Sequence, residues 1–299
     1  MGGLSNRDIH LSVLLDETVS MLGVVPGGVY MDGTLGLGGH TSEILRRSAP
    51  EGKVIAFEWD EEAIRKNQEM AEQNLQRLTI VRRNFAEIDL GLAEAGHKRV
   101  DGIIVDIGLS SLQLDISERG FSFRKDEVLD MRMDQRKDIT AADILGTASE
   151  EELADIFFYY GEEKQARRIA AEIVKLRTKE RITTSEQLAA LVARVIPRRF
   201  HPPRIHVATK VFQALRIAVN EELKNLSTIL DKAADHLVPG GRFCVISFHS
   251  LEDRMVKRKF IADARLEVVT RKPVVPKEKE IMENPRSRSA RLRVAECVA

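Results

Sequence analysis

The stretch VYMDGTLGLGGHTSEIL, Val29 to Leu45, decides the fold. Val29, Tyr30 and Met31 read as a short buried strand, Gly33, Gly36, Gly38 and Gly39 as a tight turn, and Thr41 to Arg47 as the helix the turn feeds. Glycine suits such a loop because the backbone must turn sharply, visit positive φ and let a ligand approach where a Cβ would collide. The dinucleotide fingerprint G-x-G-x-x-G is not met, because its third glycine would fall on Thr41. What fits is Asp32-x-x-x-Gly36-x-Gly38-Gly39, an acid closing the strand and then the glycines.

Working outward, Pro50-Glu51-Gly52 is a second turn, and KVIAFEWD a second buried strand ending at Glu58. Its distance from Gly36 is close to the ~20 residues expected of an acid that accepts hydrogen bonds from a ribose diol. Asp60 competes only as the N-cap of the helix Glu61 to Leu75, so Glu58 takes the ribose role and Asp60 the cap. LTIVRRNFAEI gives a third strand with Phe85 just beyond it, where an aromatic either covers a purine ring or fills the core. A fourth strand, Gly102 to Val105, ends in Asp106 and an irregular Gly/Ser loop. Ligands in open α/β sheets collect at the carboxyl ends of strands, so Asp32, Glu58, Phe85 and Asp106 should share one rim.

From about residue 115 the alternation of strand and helix stops. Residues 117–138 are polar and irregular, and Ala141 to Ile196 reads as successive amphipathic helices, with Ser149 and Glu152 forming a capping box. Arg198, Arg199, His201, Pro202, Pro203, Arg204 and His206 form a basic, proline-stiffened link. One long amphipathic helix follows, from Val207 to Leu237, then the turn Pro239-Gly240-Gly241 and a fifth strand, RFCVISF. HSLEDRMVKRKF reads as a helix started by Ser250 and Asp253, and is followed by a β-like segment, Leu266 to Val269, and a basic tail, NPRSRSARLRV. His249, at a strand end, either contacts substrate or is a polar residue beside the cap. Because sheet-like sequence resumes after the helices, residues 115–206 are read as a helical insertion into a domain made of 1–114 and 207–299.

The 299 residues, 43% hydrophobic and 31% charged, suit a soluble globular protein. Leu11 to Leu15 is too short to be a signal peptide core or a membrane span, and a cytoplasmic location is expected. The two cysteines, Cys244 and Cys297, have no spacing that would hold zinc, and no metal site is expected. Charge balances at 46 basic and 46 acidic residues but is unevenly spread. Residues 162–216 and residues 254–293 each hold 13 Lys/Arg against 5 Asp/Glu, leaving 20 against 36 elsewhere. Two basic regions on an otherwise acidic chain suit a polyanion bound on one side, or else are solvated faces.

Asp32 and its glycines resemble motif I of S-adenosylmethionine methyltransferases, which bind a positively charged donor and no pyrophosphate. Longer matches resemble the MraW/RsmH family: HxSVLLDE at 10–17, DGTLGLGGHT at 32–41, DGIIVDIGLSSLQLD at 101–115, RGFSFRKDEVLDMRMD at 119–134, ATKVFQALRIAVNEEL at 208–223, GGRFCVISFHSLEDRMVK at 240–257 and NPRSRSARLR at 284–293. They run nearly end to end.

The resemblance implies a Rossmann-like S-adenosylmethionine-dependent methyltransferase sheet interrupted by an all-helical insertion that recognises substrate. It implies methyl transfer to the exocyclic N4 of a cytosine in the decoding region of 16S ribosomal RNA, within the small ribosomal subunit. Carried over by motif, the cofactor contacts are Gly38, Gly39, His40, Glu58, Phe85, Asp106 and Gln113. Glu58 departs from the family's usual aspartate, yet a longer acid still accepts both ribose hydroxyls. Asp106 is the candidate catalytic residue, orienting the donor's amino-acid end and the target amine, or contacting cofactor only. Arg198, Arg199, Arg204, Arg286, Arg288, Arg291 and Arg293 are expected to hold phosphates. Two other readings compete, a nicotinamide-dependent oxidoreductase and a non-catalytic RNA-binding assembly protein. The missing third glycine and the basic regions count against the first.

Overall fold

The computed structural model describes residues 11–109, 113, 118–203 and 205–298. The chain divides into two compact units, Met1–Ser110 with Lys224–Ala299, and Ser111–Leu223.

The first unit runs α1 (Leu15–Leu22), β1 (Val29–Asp32), α2 (Gly39–Arg47), β2 (Lys53–Phe57), α3 (Glu61–Lys66), α4 (Gln68–Gln73), β3 (Leu78–Val81), α5 (Ile88–Glu94) and β4 (Val100–Asp106). The second holds α6 (Ala141–Thr147), α7 (Glu150–Asp155), α8 (Ala166–Arg177), α9 (Ser185–Val195) and α10 (Thr209–Asn220). After the boundary helix α11 (Glu222–Lys232), the first unit resumes with β5 (Leu237–Ser247), α12 (Ser250–Ala262), β6 (Leu266–Val268), α13 (Glu278–Glu283) and β7 (Arg291–Cys297).

The seven strands lie in the order β3-β2-β1-β4-β5-β7-β6. Strands β1 to β5 are parallel, and β7 runs antiparallel to both β5 and β6. This is the Rossmann-like α/β sheet expected of a methyltransferase. Register aligns the strand ends: Asp32 pairs with Ala56 on one side and Ile104 on the other, and Asp106 pairs with Ile246.

Period-2 alternation sorts the side chains into two cores. Met31, Ile55, Phe57, Val105, Phe243 and Val245 face one way and pack with Leu226, Ile229 and Phe260. Tyr30, Val54, Ala56, Ile104, Cys244 and Ile246 face the other and pack with Leu22 and Ile44. Burial pushes the Cys244 thiol up to about 12, which leaves it inert.

Three elements differ from the sequence reading. The segment read as a basic tail contains strand β7, in which Leu292 and Val294 enter one core and Ala295 and Cys297 the other. The helix read as unbroken from Val207 stops at Glu221, whose φ of 52° ends α10, and α10 packs within the insertion unit on the π-helical turn Ile156–Tyr160. The helix read over 61–75 is interrupted at Asn67, whose Nδ2 donates to the carbonyls of Gly36 at 2.9 Å and Ala63 at 2.8 Å. Asn67 gives up helix continuity to hold the glycine loop. Among the described residues no helix is long and apolar enough to cross a membrane.

Candidate functional site

The acid that closes β1 is consumed by its own loop. Asp32 is buried, its Oδ1 accepting the Thr34 N–H at 3.0 Å and its Oδ2 the Thr41 hydroxyl at 2.7 Å. The loop is fastened to two strands, Gly33 N donating to Ile104 O at 2.8 Å and Leu35 N to Phe57 O at 3.0 Å. Gly36 and Gly38 take positive φ, 54° and 80°. A Cβ at Gly38 would run into Asn67 and Met70, and one at Gly39 into Ser12, so glycine is required by space as well as by torsion.

Glu58, just past β2, reaches back across this loop. Its Oε2 accepts the Gly36 N–H at 3.0 Å, and its Oε1 accepts Trp59 N and Asp60 N, both at 2.9 Å. Burial pushes its carboxyl up to about 7, outweighing those three bonds, and the neighbouring Asp60 adds to the rise. Asp60 is the N-cap of α3, accepting Glu62 N at 3.1 Å, as its sequence position suggested.

Asp106 ends β4. Its backbone N–H donates to Thr34 Oγ1 at 2.8 Å, and its Oδ1 accepts Gly108 N at 2.9 Å. Burial raises its carboxyl above the ordinary range, against the pull of His40 and with a push from Asp32 and Glu252. His40, in the first turn of α2, is buried with Nε2 3.1 Å from the Val13 carbonyl, which places the ring proton on Nε2. Phe85 is buried among the side chains of the first core, and a Cβ on Gly33 would crowd its Cβ at 3.0 Å and Val105 Cγ2 at 2.9 Å.

Glu58, His40, Phe85, Asp106 and the glycines therefore all belong to the first unit, at the carboxyl edge of β1 to β4. Gln113 is buried and belongs to the second unit. Neither Thr34 nor Asn67, both of which hold the rim together, was singled out from sequence. A hydroxyl directly after an acid-glycine pair was the available signal.

The arginines expected to hold phosphates divide into groups. Arg198 and Arg199 are exposed on the 3-10 turn Arg198–Phe200, with the Arg199 guanidinium 4.8 Å from the Phe200 ring centroid. Arg204 lies outside the described residues. Arg286 and Arg288 are exposed on the turn Pro285–Ser289. Arg291 and Arg293 instead meet Asp253 of α12: Arg291 Nη1 donates at 2.9 Å, and Arg293 Nε and Nη2 donate at 2.6 and 3.2 Å. Burial pushes the Asp253 carboxyl up, but the two guanidiniums outweigh it and hold it below the ordinary range.

The N-cap of α12 is one residue earlier than Ser250. His249 Nδ1 accepts Glu252 N at 3.4 Å, and Glu252 Oε2 accepts Phe248 N at 2.8 Å and His249 N at 3.2 Å. His249 is thus a cap, with Nε2 2.9 Å from Glu252 Oε1 but out of line for a hydrogen bond. Among the described residues no group of three or more His, Cys, Asp or Glu could hold a metal ion.

The family model described as the MraW methylase family matches residues 7–298. The chain is 62% identical to the ribosomal RNA small subunit methyltransferase H of Desulfotalea psychrophila, over 97% of this chain and 98% of that one. It is 49% identical to the protein of the same name from a Cyanothece species, over 96% and 94%, and 48% identical to that of Citrifermentans bemidjiense, over 96% and 98%. With a match of this length and relatives this similar, the chain belongs to the MraW methylase family.

Proposed function

We propose that this protein transfers a methyl group from S-adenosylmethionine to the exocyclic N4 of a cytosine in the decoding region of 16S ribosomal RNA, acting on the assembled small subunit. The observation that carries the reading is the convergence at one sheet edge of a glycine cradle, Glu58 and Asp106, in a chain whose relatives are named as methyltransferases of small-subunit ribosomal RNA.

The rim suits that donor chemically. It offers the carboxylates of Glu58 and Asp106 beside a tightly turned glycine backbone, a set of acceptors that suits a ribose diol and a cationic sulfonium rather than a pyrophosphate. Glu58 would accept the two ribose hydroxyls, held in place by the Gly36, Trp59 and Asp60 amides. Gly38 and Gly39 let the turn pack close against Asn67, Met70 and Ser12, and Phe85 would present an edge at the loop. Bound S-adenosylmethionine supplies an electrophilic methyl group.

Cytosine N4 is a weak nucleophile because its lone pair is conjugated into the ring, so in-line placement of an unstacked base and an acceptor for the amino hydrogens are needed. Asp106 supplies that acceptor. Its Oδ1 is taken by Gly108, whereas its Oδ2 has no hydrogen-bond partner among the described residues. Thr34 fixes the backbone from which that carboxylate projects.

The test is incubation with labelled S-adenosylmethionine and small subunits from cells lacking this protein, followed by nucleoside digestion. Label in N4-methylcytidine is the expected result. Label in another nucleoside overturns the acceptor, and absence of label with the donor bound overturns the enzymatic reading in favour of an assembly factor.

A further inference from the structure

Away from the cofactor rim, the first unit contains a cavity of about 270 Å³ between α12 and the segment that leads from β6. Its apolar wall is made by Phe260, Ile261 and Val268. Its polar lining comes from Lys257, Arg271 and Thr270, with Arg293 at the back. None of these residues belongs to the glycine loop or to the ends of β1 to β4.

The lining groups are not equivalent. Thr270 Oγ1 is spent on the backbone, accepting Val294 N at 2.8 Å, and the Arg293 guanidinium is spent on Asp253. Lys257 and Arg271 are exposed and make no ion pair or hydrogen bond with the described residues. Ile261 is 66% exposed, an aliphatic side chain left on the surface beside unneutralised cations. The cavity thus offers a dry wall with positive charge at its mouth and no acceptor for a cationic guest. Its volume is below the ~300 Å³ at which pockets for drug-sized ligands begin. One planar ring fits that description better than a whole cofactor.

We propose that this cavity is an accessory RNA subsite that takes one unstacked nucleotide of the substrate strand, away from the base that is methylated. The base lies against Phe260, Ile261 and Val268, and the flanking phosphates meet Lys257 and Arg271. An acidic peptide would satisfy the two cations but leave the apolar wall wet, whereas a nucleotide covers both, because every base has a π-face and every linkage a charge. Exposed Arg258 on α12, also without a partner among the described residues, and exposed Lys272 extend the positive field along the strand's path. The inference rests on the RNA-substrate reading above and adds where a second nucleotide is held.

The experiment is anisotropy of a short labelled single-stranded oligoribonucleotide with the full chain, across a salt series, for the wild type, the double variant Lys257→Gln/Arg271→Gln, and Ile261→Ser. Each affected side chain is exposed, and binding of S-adenosylmethionine by calorimetry reports that the fold is intact. With two of its phosphates no longer neutralised, a single strand should bind the double variant with a slope of log K against log salt that is flatter by about 1.4. Ile261→Ser should weaken binding about fivefold and leave the slope unchanged, since it removes apolar surface and no charge. Wild-type affinity and slope in both variants overturn the proposal. Displacement of the oligonucleotide by polyglutamate from the wild type, with no displacement from the double variant, also overturns it and assigns the cavity to acidic peptide. Absence of N4-methylcytidine in the labelling assay would sink the reaction reading without altering this binding measurement, so the two failures are distinguishable.

Discussion

Thr34 Oγ1, in the loop after β1, accepts the backbone N–H of Asp106 at the end of β4 at 2.8 Å. One hydroxyl therefore couples the glycine cradle to the strand end that carries the candidate catalytic carboxylate. Thr34 is itself fixed by its own N–H, which donates to Asp32 at 3.0 Å.

Removing that hydroxyl orphans an amide in a half-buried site. Thr34→Val should cost about 1–3 kcal/mol in denaturant unfolding, the penalty of an unmet donor, and should weaken S-adenosylmethionine binding in calorimetry. Thr34→Ser, which restores the oxygen, should recover both. Equal behaviour of the Val and Ser variants would show that the hydroxyl does not organise the rim.

Glu58 makes a pH prediction whose sign follows from its raised carboxyl, about 7 when folded. Between the ordinary carboxylate range and about 7, the folded chain holds a proton that the unfolded chain has lost. Its contribution to stability is therefore full at low pH and lost as pH rises through about 7, by up to roughly 3 kcal/mol. Glu58→Gln lacks this loss. The melting temperature of the variant relative to the wild type should climb from pH 5 to pH 8, as scanning calorimetry would reveal. Donor binding runs the other way: an ionised Glu58 accepts the ribose diol, so wild-type affinity should rise toward pH 7 and then level, and the Gln variant should bind weakly with no such rise.

Much of this site could be read in the chain because it is local. A strand, an acid and four glycines within a dozen residues specify a cradle, and acids at successive strand ends must meet on one edge of a parallel sheet. Glu58 was found that way, and it does reach the Gly36 amide. What sequence did not reveal depends on partners far apart in the chain. Asn67 looks like an ordinary helix residue until Gly36 is beside it. Arg291 and Arg293 look like a basic tail because their partner, Asp253, is some forty residues away on another element, and the charge hid the alternation of a strand.

That clamp is itself testable. The Arg293 and Asp253 side chains are each 8% exposed, and without Arg293 the Asp253 carboxylate keeps only Arg291 as an ionic partner. Arg293→Met should destabilise the fold by about 1–3 kcal/mol, the penalty of buried acceptor sites left unmet, whereas Arg293→Met combined with Asp253→Leu should lie close to the wild type. Because Asp253 is held below the ordinary range, its stabilisation is present at neutral pH and lost as pH falls through its folded value. Chemical denaturation at neutral and acid pH would show the wild type falling below the double variant as acid is added.

Asp106 separates binding from chemistry. Asp106→Asn keeps the size of the side chain and the acceptor for Gly108 N, but it removes the charge and replaces the second oxygen with a donor. If that oxygen receives the amino hydrogens of the target base, turnover should fall by about 10²–10⁴, the usual range for a positioned proton acceptor, with donor affinity changed far less. Asp106→Ala should lose turnover as well and lower donor affinity further, because the Gly108 loop then loses its anchor. The raised carboxyl adds a second signature: the acid limb of the wild-type rate profile should lie above the ordinary carboxylate range, and it should vanish in the Asn variant. Single-turnover methylation of small subunits, measured beside calorimetric donor binding, decides the point. Unchanged turnover and unchanged binding in Asp106→Ala would remove Asp106 from the reaction altogether, whereas equal losses in both would confine it to holding the donor.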